Sequence, residues 1–136
     1  MHNKRIITLT TLFIIVSAFQ DIASTKKLIV GSWIFEKFDF PNYISPNSEE
    51  ARNANKTNKG LVVTFTADNQ FISSQPGGIK ANNAHHVYRL LKDGKHLVIG
   101  STKAGDTLEI DKVDAFHLVL YSEGRPGIYF SRKPAH

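Results

Sequence analysis

The chain has 136 residues, no cysteine and a formal net charge of +5, which falls to +3 once Lys4 and Arg5 are removed with the N-terminal segment. Without cysteine there is no disulfide, no lipid-bearing lipobox and no thiolate to ligate a metal or attack a substrate. The remaining charges are interspersed rather than clustered, which argues against a nucleic-acid surface.

Lys4 and Arg5 precede an apolar stretch, Ile6 to Phe19, broken only by Thr8, Thr10, Thr11 and Ser17. Val16-Ser17-Ala18 places small residues where a signal peptidase cuts. The expectation is a signal peptide over residues 1–18, with Ala23 or Ser24 as later cleavage points, and export to the periplasm or beyond the cell. The apolar run is short of the roughly twenty residues that span a bilayer, and no second run follows, so no membrane span is expected after cleavage. Residues 19–136 suffice for one domain with a modest core.

Leu28 to Phe40 is a long first strand carrying Trp33, Phe35, Phe38 and Phe40. Its alternation breaks at Glu36-Lys37, where a bulge would restore the inward face. Gly31-Ser32-Trp33 opens the strand: glycine lets the backbone pass close beneath a barrel floor, and the indole plugs that floor. Asn42 to Asn58 is polar and has no apolar period. It reads as a long loop, able to lid an open end, with one helical turn at Ser48 to Arg52 capped by Asn47 or Ser48.

From there short strands alternate with turns. The second strand, Leu61 to Thr66, turns through Ala67-Asp68-Asn69-Gln70 into a third around Phe71-Ile72-Ser73, which Gln75-Pro76-Gly77-Gly78 ends. The fourth, His86 to Leu91, enters a tight hairpin at Lys92-Asp93-Gly94-Lys95 and returns as the fifth, His96 to Gly100. Lys103 to Asp106 turns into a sixth, Thr107 to Ile110, and Asp111 to Asp114 into a seventh, Phe116 to Tyr121. Glu123 to Gly127 leads to the eighth, Ile128 to Arg132. Eight strands on short turns predict an all-β, up-and-down antiparallel barrel, since closure removes both exposed edges. Closure would bring the end of the eighth strand beside the start of the first, and so Arg132 beside Trp33, a favourable cation–π contact.

Gly31-Ser32-Trp33, the hairpin from Thr64 to Phe71, Tyr88-Arg89-Leu90-Leu91 before Asp93-Gly94-Lys95, and the late basic Arg132 together resemble the lipocalin-like domain of small exported bacterial proteins. The resemblance spans roughly residues 26–133. It implies a calycin-type barrel that holds a small apolar molecule, in a chain shorter than full-length lipocalins and without their disulfides.

Chemistry-bearing residues do not converge. His85 and His86 are adjacent, so on a regular strand they face opposite ways, and His96 and His117 lie on other strands. No metal site or cofactor is expected. Glu49-Glu50 sits in the polar loop; Glu36 faces either outward at the bulge or inward with Arg89 as its partner. Ser32, Ser73 and Ser74 lack a nucleophile elbow, and Pro76-Gly77-Gly78 is a turn rather than a phosphate loop. No catalytic set emerges, and no enzyme is expected.

The aromatics carry the functional question. Phe35, Phe38, Phe65, Phe71, Tyr88 and Leu120 are candidate lining residues of a ligand cavity, or else simply core, because an eight-stranded barrel can be filled or can hold one small ligand. Gly31, Trp33 and Arg132 are assigned to barrel closure. Two functions fit: an exported protein that binds or carries a small hydrophobic molecule, and a packed module that meets a protein or glycan through its loops.

Overall fold

Alternating apolar and polar residues close this chain into a single ring of strands. The computed structural model describes residues 23–75, 84–100 and 105–134. The expected signal peptide 1–18, the break at 76–78, the start of the turn at 103–104 and the terminal His136 lie outside them.

Residues 23–29 form helix α1. It is followed by β1 (Gly31–Asp39), α2 (Glu49–Thr57), β2 (Val62–Phe65), β3 (Gln70–Ser74) and β4 (Ala84–Leu90). Then come β5 (His96–Ile99), β6 (Asp106–Val113), β7 (His117–Tyr121) and β8 (Gly127–Arg132). Each strand pairs antiparallel with the next, and β8 returns to β1, so the expected up-and-down meander is a closed barrel. The ladder register sets Trp33 opposite Arg132, Phe35 opposite Phe130 and Phe38 opposite Ile128. It slips between Phe35 and Lys37, so Glu36 is bulged out to solvent and Phe38 regains the interior. Glu36 therefore has no inward pairing with Arg89, which is itself exposed on β4.

Trp33, Phe35, Val63, Phe65, Tyr88, Leu97, Leu118, Leu120 and Phe130 point inward as one buried cluster, joined by Ile29 from α1. Between them on the strands stand Ser32, Thr64, Arg89, Thr107 and Glu109. The outer positions also carry Ile34, Ile72, Val87, Val98 and Val119, so the outer face is mixed while the interior is apolar.

α1 seals one end. Its last carbonyls have no helical partners and are met by side chains of the two closing strands. Trp33 Nε1 donates to Ile29 O at 2.9 Å, Arg132 Nη1 donates to Val30 O at 2.8 Å, and Arg132 Nη2 donates to Leu28 O. The guanidinium carbon lies 3.9 Å from the centroid of the Trp33 ring. Gly31 has φ 135°, and a Cβ there would overlap the guanidinium, so both the backbone and the space demand glycine. At the other end of α1's floor contact, Lys26 Nζ donates to Tyr88 Oη at 2.9 Å and also to Asn69 Oδ1, while Tyr88 Oη donates to Thr66 O at 2.7 Å.

The opposite end of the β1–β8 seam is held from outside. The Tyr121 ring lies over Gly127 and its hydroxyl donates to Asp39 Oδ2 at 2.5 Å, so a β7 side chain reaches across β8 to β1. The hydrogen bond that Tyr121 donates to Asp39 comes first, and with the neighbouring Tyr129 hydroxyl and desolvation it pushes the Tyr121 phenol well above its ordinary value.

Three expectations are corrected. The first strand begins at Gly31 rather than Leu28, because Leu28 and Ile29 belong to α1. Asn42–Asn58 holds more than one helical turn: α2 runs nine residues, capped by Ser48, whose hydroxyl accepts from Ala51 N at 3.2 Å. Glu49 and Glu50 in its first turn and Lys56 in its last suit the helix dipole, and buried Ala51 gives it an anchoring face. Asn55 accepts from Phe38 N at 2.8 Å, which fixes the helix to β1 just past the bulge. The turn expected at Asp111–Asp114 falls later, because β6 absorbs Asp111 as a bulge and continues to Val113. Asp114 then makes the turn, accepting from Phe116 N at 2.8 Å and His117 N at 2.7 Å, which leaves Phe116 outside β7 and exposed.

Trp33→Ala is expected to cost about 3–5 kcal/mol in chemical denaturation by leaving a cavity in the floor; a loss below about 1 kcal/mol would mean that the indole is not the plug. For the outer latch, the folded phenol binds its proton more tightly than the unfolded one. Its stabilisation is therefore complete below pH of about 10 and declines above it. In a 295 nm titration, Tyr121→Phe should delete the last tyrosine to ionise and Asp39→Asn should move that step to lower pH; four tyrosines titrating together near pH 10 in the parent protein would contradict the latch.

Candidate functional site

Side chains fill the barrel unevenly along its axis. At the floor, Trp33, Phe65 and Leu118 are fully buried, and Tyr88 is 2% exposed. Two aromatic rows climb from there. Tyr88, Phe65 and Phe71 follow one wall with ring centroids 5.0 and 5.2 Å apart. Phe130, Phe35, Phe38 and Phe40 follow the other at 6.4, 4.9 and 5.8 Å, each pair edge-on.

Above those rows the inner wall thins to Ala84, Ile99, Gly100, Leu108 and Ile128, and a cavity of about 770 Å³ opens at the end away from α1. That volume lies within the usual range for small-molecule sites. Its depth is apolar, and four polar residues stand on its walls: His86, Asp106, Ser122 and Arg125. His86 points inward because it is opposite Phe71 in the ladder and two residues from buried Tyr88. It makes no hydrogen bond among the described residues. Arg125 Nη1 lies 4.0 Å from Asp106 Oδ2, with both side chains about two-thirds exposed, so this pair adds little to stability.

Of the six residues expected to line a cavity, Phe38 and Phe71 do so. Phe35, Phe65, Tyr88 and Leu120 lie in the packed layer beneath, 4, 0, 2 and 3% exposed. Gly31, Trp33 and Arg132 meet at the floor, at the far end from the cavity. No residue of Asn42–Asn58 is among the lining residues, so the long loop lies against β1 rather than over this opening.

His86, Ile99, Leu108, Ile128 and Arg125 were not among the expected lining residues. A signal existed for His86, since stepping back two residues from Tyr88 keeps the same face. Ile99, Leu108 and Ile128 follow from the same alternation on β5, β6 and β8. Arg125 sits in a turn, where no period applies.

His85, His96 and His117 lie away from the cavity, the last two beside turn aspartates. Among the described residues no three His, Cys, Asp or Glu side chains gather as metal ligands. His85 pairs with Gln70 Oε1 at 2.9 Å on the outer face, across the strand from His86. His96 Nδ1 meets Asp93 Oδ2 at 2.5 Å, and His117 Nδ1 lies 3.4 Å from Asp114 Oδ1. The Asp93 carboxyl is held below its usual range by the Lys95 backbone N–H and then by His96. Asp114 is lowered by the backbone N–H groups of Phe116 and His117. Both shifts are explained by turn hydrogen bonds and need no catalytic role. A shallower groove of about 400 Å³ lies on the outer wall between His96, Thr107, Glu109, Tyr121, Ser122 and Glu123.

No family model matches the chain, and no curated protein does either. Among solved structures it is similar to a DUF4847 family protein from Bacteroides vulgatus, with a TM-score of 0.51 and 17% identity over 80% of this chain and 96% of that one. At this identity the likeness speaks for the fold alone, a β-barrel.

Proposed function

We propose that this chain is an exported, lipocalin-like binding protein that takes a small hydrophobic molecule into the open half of its barrel. The observation that carries this reading is the 770 Å³ cavity, apolar in depth and placed at the end that α1 leaves open. Phe38, Phe71, Ile99, Leu108 and Ile128 are only partly buried, so water covers apolar surface that a ligand would release, at about 25 cal/mol per Å². The packed floor supports the same reading, since the largest inward side chains gather there and leave the upper half to smaller ones.

Export rests on the N-terminal Lys4-Arg5, the apolar run and Val16-Ser17-Ala18. Cleavage after Ala18 would keep all of α1, whose Lys26, Leu28 and Ile29 bind the floor, whereas cleavage after Ser24 would leave α1 shortened. Among the described residues no helix is long and apolar enough to cross a membrane.

The test uses the purified mature protein and the neutral apolar fluorophore N-phenyl-1-naphthylamine. Saturable enhancement is expected, with a co-purifying apolar molecule in native mass spectrometry. Leu108→Glu combined with Ile128→Glu, which places charge on the apolar wall, should abolish the enhancement, with far-UV circular dichroism checking that the barrel is retained. An empty protein that gives no enhancement would overturn the carrier reading and favour a packed module that acts through its loops.

A further inference from the structure

The cavity's polar residues are not spread evenly by chemistry. Three of the four offer N–H or O–H donors, and the single carboxylate, Asp106, already faces Arg125. Their separation of 4.0 Å is well beyond the roughly 2.7–2.9 Å of a full charge-assisted hydrogen bond. Among the described residues the Arg125 guanidinium makes this long ion pair and no hydrogen bond. Its backbone is fixed, since its N–H donates to Ser122 O at 3.2 Å within the β7–β8 turn. His86, on β4, brings into the same space an imidazole that makes no hydrogen bond among the described residues.

We propose that the molecule taken by this cavity is an apolar chain ending in a carboxylate, and that Arg125 is the residue that selects this head. This rests on the carrier reading above and specifies it. A planar carboxylate matches the guanidinium fork with two parallel hydrogen bonds, which Asp106 does not supply from 4.0 Å. The head would displace Asp106 from Arg125 and have His86 and Ser122 as further donors. The tail would extend along Ile128, Leu108 and Ile99 to Phe38 and Phe71, whose rings form the top of the packed layer. An ammonium head fits less well: its only acid partner is Asp106, and it would lie within reach of Arg125.

The test compares three amphiphiles of one chain length by titration calorimetry: decanoate, decanol and decyltrimethylammonium. The parent protein should bind decanoate roughly tenfold more tightly than decanol. Arg125→Gln should erase that preference, bringing decanoate affinity down to that of decanol. Asp106→Asn, which removes the competing carboxylate, should tighten decanoate binding. Equal affinity for decanoate and decanol, or a preference that survives Arg125→Gln, would overturn the assignment while leaving the carrier reading intact. Tightest binding of the ammonium would also overturn it, by making Asp106 the selecting group. If none of the three binds and N-phenyl-1-naphthylamine also fails, the carrier reading falls and this inference falls with it.

Discussion

Barrel closure depends on where three backbone carbonyls find their donors. α1 ends against the barrel floor, and helix ends leave carbonyls that cost about 1–3 kcal/mol each when buried without a partner. Leu28 O and Val30 O accept from Arg132, and Ile29 O accepts from Trp33. The donors come from the last strand and the first, so satisfying the helix end and closing the ring are one event. Burial lowers the Arg132 pKa, but a guanidinium stays charged across ordinary pH, and here carbonyl oxygens and the indole face offset the water it has lost. Gly31 completes the arrangement, because the space a side chain would occupy belongs to the guanidinium.

A consequence follows for the axis of the barrel. An eight-stranded barrel has an interior that side chains can just fill or that can hold one small ligand. This one does each at a different height. The largest inward residues, Trp33, Tyr88, Phe65 and Phe130, cluster toward the floor, and the mouth positions go to Ala84, Ile99, Leu108 and Ile128. The two aromatic rows make the transition, with Phe38 and Phe71 belonging to both regions. The question of whether the aromatics are core or lining therefore has a split answer: most are core, and Phe38 and Phe71 are lining.

What the sequence revealed and what it hid divide along physical lines. Strand count, antiparallel order and the bulge at Glu36 were legible, because period-2 alternation and turn residues report directly on which face is buried. The proximity of Arg132 to Trp33 followed from strand parity alone. The extent of α2 was not legible: its helical stability comes from the Ser48 cap, charges matched to the dipole, and one buried face of Ala51 and Asn55, none of which produces an apolar stripe. The bulge in β6 hid for a related reason, since Asp111 and Asp114 are equally good turn residues and only the tertiary ladder decides between them. Cavity membership was least legible, because alternation tells inward from outward but not height along the axis, and a turn residue such as Arg125 carries no alternation at all.

The position of Arg125 is set by the second fastening of the β1–β8 seam. Tyr121 ends β7 with its ring outside the barrel, over Gly127, and its hydroxyl on Asp39. The five residues between Tyr121 and Gly127 form the turn that carries Ser122 and Arg125, and both its ends meet Asp39 of β1, Tyr121 through its hydroxyl and Gly127 through the ladder. A lysine on a free loop would sample the mouth and lose rotamer entropy on each encounter. An arginine on a turn anchored this way has less to lose, so a given charge-assisted contact yields more net affinity. Gly127 permits the arrangement as Gly31 does at the floor: in both places a closing contact occupies the volume of an absent side chain.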